Sequence, residues 1–291
     1  MASDVLSGAL LLDKPSGITS ARAVAQVKRI LPKKTKIGHT GTLDPLASGL
    51  LVLLLGRATR LSRYVTALDK SYTATARFGA TSDTLDADGN VSLLDTPMPD
   101  ERALRAALPS FTGDIRQVPP MASALKVDGE RLYNLQRRGI TVERESRPVT
   151  VHSFQMISQD PDAESATFEV SCSSGTYIRT LISDLATHLG TGSYLTALKR
   201  TRVGHLTLKD AVSPDNLTFD TLQNHIIHYG HVLAHLPVLE VGIDERRLVC
   251  SGRPLEGGRE GSFRVEVGGE LLAVYRGDGR GSRAEVVLCG E

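Results

Sequence analysis

The stretch from Lys36 to Thr59, K-I-G-H-T-G-T-L-D-P-L-A-S-G-L-L-V-L-L-L-G-R-A-T, constrains this chain more than any other. A turn rich in glycine and threonine leads to one aspartate, Asp44, and Pro45 follows at once. An apolar run, Leu50 to Leu55, then lies between Gly49 and Gly56. Proline disfavours the α region for the residue before it, so Asp44 is biased toward an extended or turn conformation. Gly38, Gly41 and Gly49 admit backbone angles that bulkier residues avoid. The run is short enough for a buried strand, although periodicity alone does not separate a strand from a buried helix segment. Asp44 is therefore expected on a rigid loop anchored in the core, a common setting for a catalytic carboxylate. A turn-capping aspartate is the plainer alternative.

At 291 residues the chain has room for one large domain, or a large and a small one. A formal net charge of +1 does not mark it as a nucleic-acid binder, so any such signal must be local. Between Lys14 and Leu43 lie seven basic residues, Lys14, Arg22, Lys28, Arg29, Lys33, Lys34 and Lys36, with no acid among them. Such an arm beside Asp44 suits phosphate contact, and a solvated helix face is the alternative. The three cysteines, Cys172, Cys250 and Cys289, are an odd, sparse set that argues against a disulfide scaffold. No signal peptide and no membrane-length apolar window is evident, so a cytoplasmic location is expected.

In chain order, residues 6–12 read as a strand, and Thr19 or Ser20 can cap a helix that Pro32 stops. Residues 57–64 suggest a short helix or turn. Lys70 to Phe78 alternates as a strand with Tyr72, Ala74, Ala76 and Phe78 on one face. Residues 81–90, T-S-D-T-L-D-A-D-G-N, read as a polar loop, because a calcium loop would need a final glutamate ligand. Helices are expected over 100–109, over 130–138 and from Gly175 to Gly190, with strands at 147–157 and 166–172. Arg179 stands in the first turn of its helix, where the dipole does not favour a cation, and so calls for an anionic partner. Ser193 is read as the cap of a short helix through 197–202, with Lys199, Arg200 and Arg202 solvated or, on the family resemblance given next, facing RNA. From about Pro237, short apolar runs between glycines suggest a small β-barrel. His225, His228, His231 and His235 lie in a helix-like linker without a companion cysteine or carboxylate cluster, which favours a structural role over a metal site.

The stretch G-H-T-G-T-L-D-P-L-A-S-G-L-L, residues 38–51, resembles the nucleophile loop of the TruB family of tRNA pseudouridine synthases. The resemblance extends to L-L-D-K-P-S-G-I-T-S at 11–20, K-S-Y at 70–72, residues 117–139 and G-T-Y-I-R at 175–179. It covers roughly residues 6–215. It implies an α/β (α+β) pseudouridine synthase fold, with a mixed, largely antiparallel central sheet flanked by helices and a small C-terminal PUA-like β-barrel. The domains would be 1–232, with a mobile RNA-clamping insertion at 115–147, and 233–291.

On that resemblance Asp44 is the catalytic aspartate, Tyr72 stacks on the target base and is a possible general base, and Arg179 orients Asp44. Leu198 packs in the uridine pocket and His39 wedges into the space left by the flipped base. Lys14, Gly41, Thr42, Lys126, Tyr177, Arg137 and Arg138 complete the substrate-binding set. Ala122 and Ser174 depart from the family pattern, which often has an aromatic and a basic residue there. The implied reaction isomerises the uridine at position 55 in the T arm of tRNA, by a monomer, without cofactor or metal. Two other classes stay open. A glycoside hydrolase would pair Asp44 with Asp69 or Asp83. A non-catalytic RNA-binding or tRNA-folding protein would not need Asp44.

Overall fold

The computed structural model describes residues 6–289, except 124, 128, 258 and the side chain of Lys126. A ten-stranded sheet dominates. Its path runs Ile226–Ile227, Gly8–Lys14, Ser48–Leu55, Ser193–Val203, Lys70–Phe78, Ser165–Cys172, Arg147–Asp160, Gly113–Gln117, with Ile37–His39 and Leu206–Thr207 paired at its side. Each pairing is antiparallel except that of Ser193–Val203 with Ser48–Leu55.

The apolar run of the Asp44 stretch is the buried strand Ser48–Leu55. Leu51, Leu53 and Leu55 enter one core with the helices Ser20–Ile30 and Ile178–His188. Leu50, Val52 and Leu54 enter a second core on the opposite face. Burial on both faces explains why the run does not alternate with polar residues. The second core also takes Leu271, Val274, Val286 and Leu288 from the C-terminal part. Arg57 donates to the Leu288 carbonyl at 2.8 Å and Arg60 to that of Val287, so the strand Gly281–Val287 and the residue after it are tied to the segment that follows Ser48–Leu55.

Residues 193–202 form a strand, not the expected short helix. Leu195, Leu198, Arg200 and Val203 are all buried, and pairing on both edges overrides the local reading. Gly49 marks that pairing. Its φ is +94°, and a Cβ there would meet the Arg200 carbonyl oxygen at 2.3 Å. Gly41 also has positive φ, +136°, whereas Gly38 sits in ordinary strand conformation.

The C-terminal part is a five-stranded curled sheet in the order Val238–Glu240, Glu260–Val267, Glu270–Asp278, Gly281–Val287, Leu255–Glu256. Contrary to the reading of the cysteines, Cys250 and Cys289 are joined in a disulfide there, and Cys172 is buried and free. His228 caps a short helix by accepting from the Gly230 N–H, and among the described residues no His, Cys, Asp or Glu group gathers as a metal site. No described helix is long and apolar enough to cross a membrane.

Candidate active site

The loop bearing Asp44 is fixed from the N-terminal segment. The Ser20 hydroxyl donates to the Leu43 carbonyl at 2.9 Å and accepts from the Leu43 N–H at 2.8 Å. Ser16 Oγ donates to Leu46 O at 2.7 Å, and Gly17 N–H donates to Pro45 O at 2.8 Å. The Leu46 N–H in turn donates to the Asp88 carboxylate at 3.1 Å. These bonds flank Asp44 on both sides and leave its carboxylate 38% exposed. Thr19 caps the following helix by accepting from Arg22 N–H, as expected.

Arg179, at the start of the helix Ile178–His188, is only 5% exposed at its side chain and contacts Asp44 Oδ2 at 2.8 Å. The same guanidinium reaches Asp86 Oδ2 at 3.3 Å and donates to the carbonyls of Thr84 and Ala122 at 2.7 and 2.6 Å. The anionic partner that the helix dipole argument required is thus a pair of carboxylates. Asp86 lies in the segment 81–90 that reads from the sequence as a polar loop. Its signal in the sequence was faint, because nothing in a polar loop announces a buried carboxylate. Burial pushes the Asp86 carboxyl upward, while the Thr84 hydroxyl and Arg179 oppose that. Ala122 contributes its backbone carbonyl, so its missing aromatic ring does not remove that contact.

A cleft of about 460 Å³ opens beside Asp44 and Arg179. Tyr72, Leu198, Tyr177 and Arg200 line it, with Gly41, Thr42 and Ser174. The sheet brings Tyr72 and Leu198 together, since Leu198 pairs with Ala74 and Arg200 with Tyr72 on adjacent strands. Burial raises both the Tyr72 and Tyr177 phenols, and the Arg200 guanidinium opposes the rise at Tyr72.

Arg200, expected to be solvated or facing RNA, is not solvated: it is 3% exposed and lines the cleft. Its Nε donates to Leu50 O at 2.7 Å and its Nη2 to Gly41 O at 3.1 Å. It therefore joins the strand Ser48–Leu55 to the loop that carries Asp44. Lys14 also departs from the basic arm. It is fully buried, and its ammonium donates to the Pro15 and Ile18 carbonyls at 2.9 and 2.6 Å. Burial lowers its pKa from 10.5 to about 8. Lys70, on the cleft wall, is lowered to about 8 for the same reason and donates to the carbonyls of Thr66 and Leu68.

Other expected residues lie farther out. His39 is absent from the cleft lining, and burial lowers its pKa. Arg137 and Arg138 are exposed on the helix Leu132–Arg137 and its C-cap, shorter than the helix expected over 130–138. Arg138 pairs with Glu130 at 2.6 Å, and Arg137 sits over the Tyr133 ring. The Lys126 side chain is outside the described residues. Neither aspartate proposed as a hydrolytic partner lines the cleft that holds Asp44: Asp69 contacts His152 at 3.1 Å, and Asp83 binds the Asn90 side chain at 2.9 Å.

A tRNA pseudouridine synthase B of Aromatoleum aromaticum is 41% identical over 283 residues, covering 96% of this chain and 91% of the relative. One of Burkholderia mallei is 52% identical over 218 residues, covering 75% of this chain and 71% of that protein. A chain from the crystal structure of a Cbf5-Nop10-Gar1 complex shares the fold, with a TM-score of 0.74 and 24% identity over 97% of this chain and 85% of that one. The family model described as TruB family pseudouridylate synthase (N terminal domain) matches residues 28–178. With that match across the Asp44 loop, the Tyr72 strand and Ile178 beside Arg179, the chain belongs to the TruB family of pseudouridylate synthases.

Proposed function

We propose that this protein converts uridine to pseudouridine in tRNA, at position 55 of the T arm, acting as a cytoplasmic monomer. The observation that carries the chemistry is the 2.8 Å contact between Asp44 and Arg179 at a cleft walled by Tyr72 and Leu198. The names of the relatives support tRNA as the substrate. The T-arm position comes from the resemblance of the Asp44 loop to its family.

A uridine in a folded arm must leave its stack to reach such a cleft. Tyr72 then supplies a flat wall for the base and Leu198 an apolar one. The bond from C1′ to N1 breaks, the uracil turns, and C5 bonds to C1′. The C5 proton leaves and N1 gains one, so the product is an isomer. Asp44 serves this either by adding to C1′ as a nucleophile, a bond that breaks as C5 takes its place, or by removing a proton from C2′ that is returned there when C5 bonds to C1′. Arg179 fixes the carboxylate in both routes, and the closed cleft keeps the detached base in place. The basic helix end at Arg137 and Arg138 belongs to the insertion that would close over the RNA. That insertion reaches the site through the Ala122 carbonyl, which accepts from Arg179 at 2.6 Å, and its Gln136 side chain donates to Asp83 O at 3.0 Å.

The test is to map pseudouridine in an unmodified tRNA transcript after incubation with wild-type protein and with Asp44→Asn. Wild type should modify the T-arm uridine and release no free uracil, while Asp44→Asn should bind the transcript and form no product. Normal turnover by Asp44→Asn would overturn the assignment.

A further inference from the structure

The basic arm is not absorbed by the active site. Lys14 is buried, but Lys28, Lys34 and Lys36 are exposed around one hollow of about 630 Å³. No carboxylate lines this hollow. Among the described residues, none of the three ammonium groups pairs with a carboxylate. In a chain of net charge +1, that is a concentrated and uncompensated positive field.

Its position gives the field a purpose. His39 lines the hollow and Gly41, two residues on, lines the cleft. Along the chain only Thr40 lies between a residue lining the cationic cavity and one lining the cavity that holds Asp44. A nucleotide turned into the cleft leaves its neighbouring backbone on the rim, beside the hollow.

The backbone at Lys34 adds a second observation. Residues 32–35 form a reverse turn closed by Thr35 N–H to Pro32 O at 3.1 Å, with Lys34 at φ +73°. Glycine is the residue this conformation favours, so the turn geometry gives no reason for a lysine. Its side chain nevertheless lines the hollow with Lys28 and Lys36.

We propose that the hollow is a phosphate subsite that takes the sugar–phosphate backbone flanking the everted uridine, resting on the reading of the protein as an RNA-modifying enzyme. The three ammonium groups hold the strand without reading its sequence and release bound counterions as they do so.

The test uses full-length protein in an Asp44→Asn background and an unmodified tRNA transcript, with binding measured over a salt series. Lys28→Gln, Lys34→Gly and Lys36→Gln are compared singly and together. The triple variant should bind at least about tenfold more weakly at low salt, and its slope of log affinity against log salt should be shallower by roughly 2–3. Lys34→Gly alone should weaken binding while melting at the same or a higher temperature, which separates lost binding from lost folding. With Asp44 intact, the triple variant should raise KM for tRNA and keep kcat at saturation. Unchanged affinity and salt slope in the folded triple variant would overturn the proposal. So would stabilisation of wild type by inorganic phosphate that the triple variant loses while its RNA binding stays unchanged, because the hollow would then serve a free anion. Binding is read without turnover, so a wild type that forms no pseudouridine would count against the catalytic reading and leave this test intact.

Discussion

Asp86 and Asp44 contact different nitrogens of one guanidinium: Arg179 meets Asp86 through Nη1 at 3.3 Å and Asp44 through Nη2 at 2.8 Å. The buried aspartate holds the arginine, and the arginine holds the carboxylate that faces the cleft. Replacing Asp86 by Asn keeps the size and removes one of the two charges that balance a buried cation. The expected result is a fall in kcat of roughly 10–100-fold, about 1.4–2.7 kcal/mol of barrier, with little change in KM for tRNA. An unchanged kcat would show that Asp44 needs no such support.

Tyr72→Phe keeps the ring and removes the hydroxyl. Burial raises this phenol above its usual range, so at neutral pH it carries its proton into the cleft. Affinity for tRNA should stay within about twofold, because stacking area is retained, and kcat should fall by about 100-fold. Wild-type turnover would limit Tyr72 to a wall.

Lys70 gives a pH signature. Burial first, and Arg200 next, lower it from 10.5 to about 8. Below about pH 8 it is charged in both folded and unfolded chains, and the full cost of burying that charge is present. From about pH 8 to 10.5 the unfolded chain keeps a proton that the folded chain has released, so stability rises with pH. Lys70→Met lacks this response, and its lost contacts to the Thr66 and Leu68 carbonyls do not depend on pH. The stability of wild type relative to Lys70→Met should therefore increase across that window by up to about 3 kcal/mol in denaturant unfolding. A gap that stays constant would mean Lys70 is not desolvated.

The Cys250–Cys289 bridge closes a loop with a sequence separation of 39. Chain entropy assigns such a closure about 2–4 kcal/mol. Cys289→Ser should lower the stability of the C-terminal sheet by that amount, and a reductant should lower the melting temperature of wild type but not of the variant. Equal responses would show that the thiols are reduced in solution.

Much of the site was legible before the fold. Asp44 next to Pro45, the alternation around Tyr72, and an arginine in an unfavourable first turn are local patterns with local physical causes. The linear order also offered Thr19 or Ser20 as a helix cap and a strand or buried helix segment for the apolar run, and the structure takes Thr19 and the strand. Arg200 could not be read in this way. Its segment pairs with residues about 150 and 130 positions earlier, on the strands of Leu50 and Tyr72, and only that pairing buries it. Asp86 gained its meaning from a guanidinium on a helix remote in sequence, and Cys250 from Cys289, 39 positions on. The sequence alone determined which chemical groups and which local backbone were available. Tertiary structure decided which charges lost their water and which met a partner, because burial and ion pairing depend on segments that are remote along the chain.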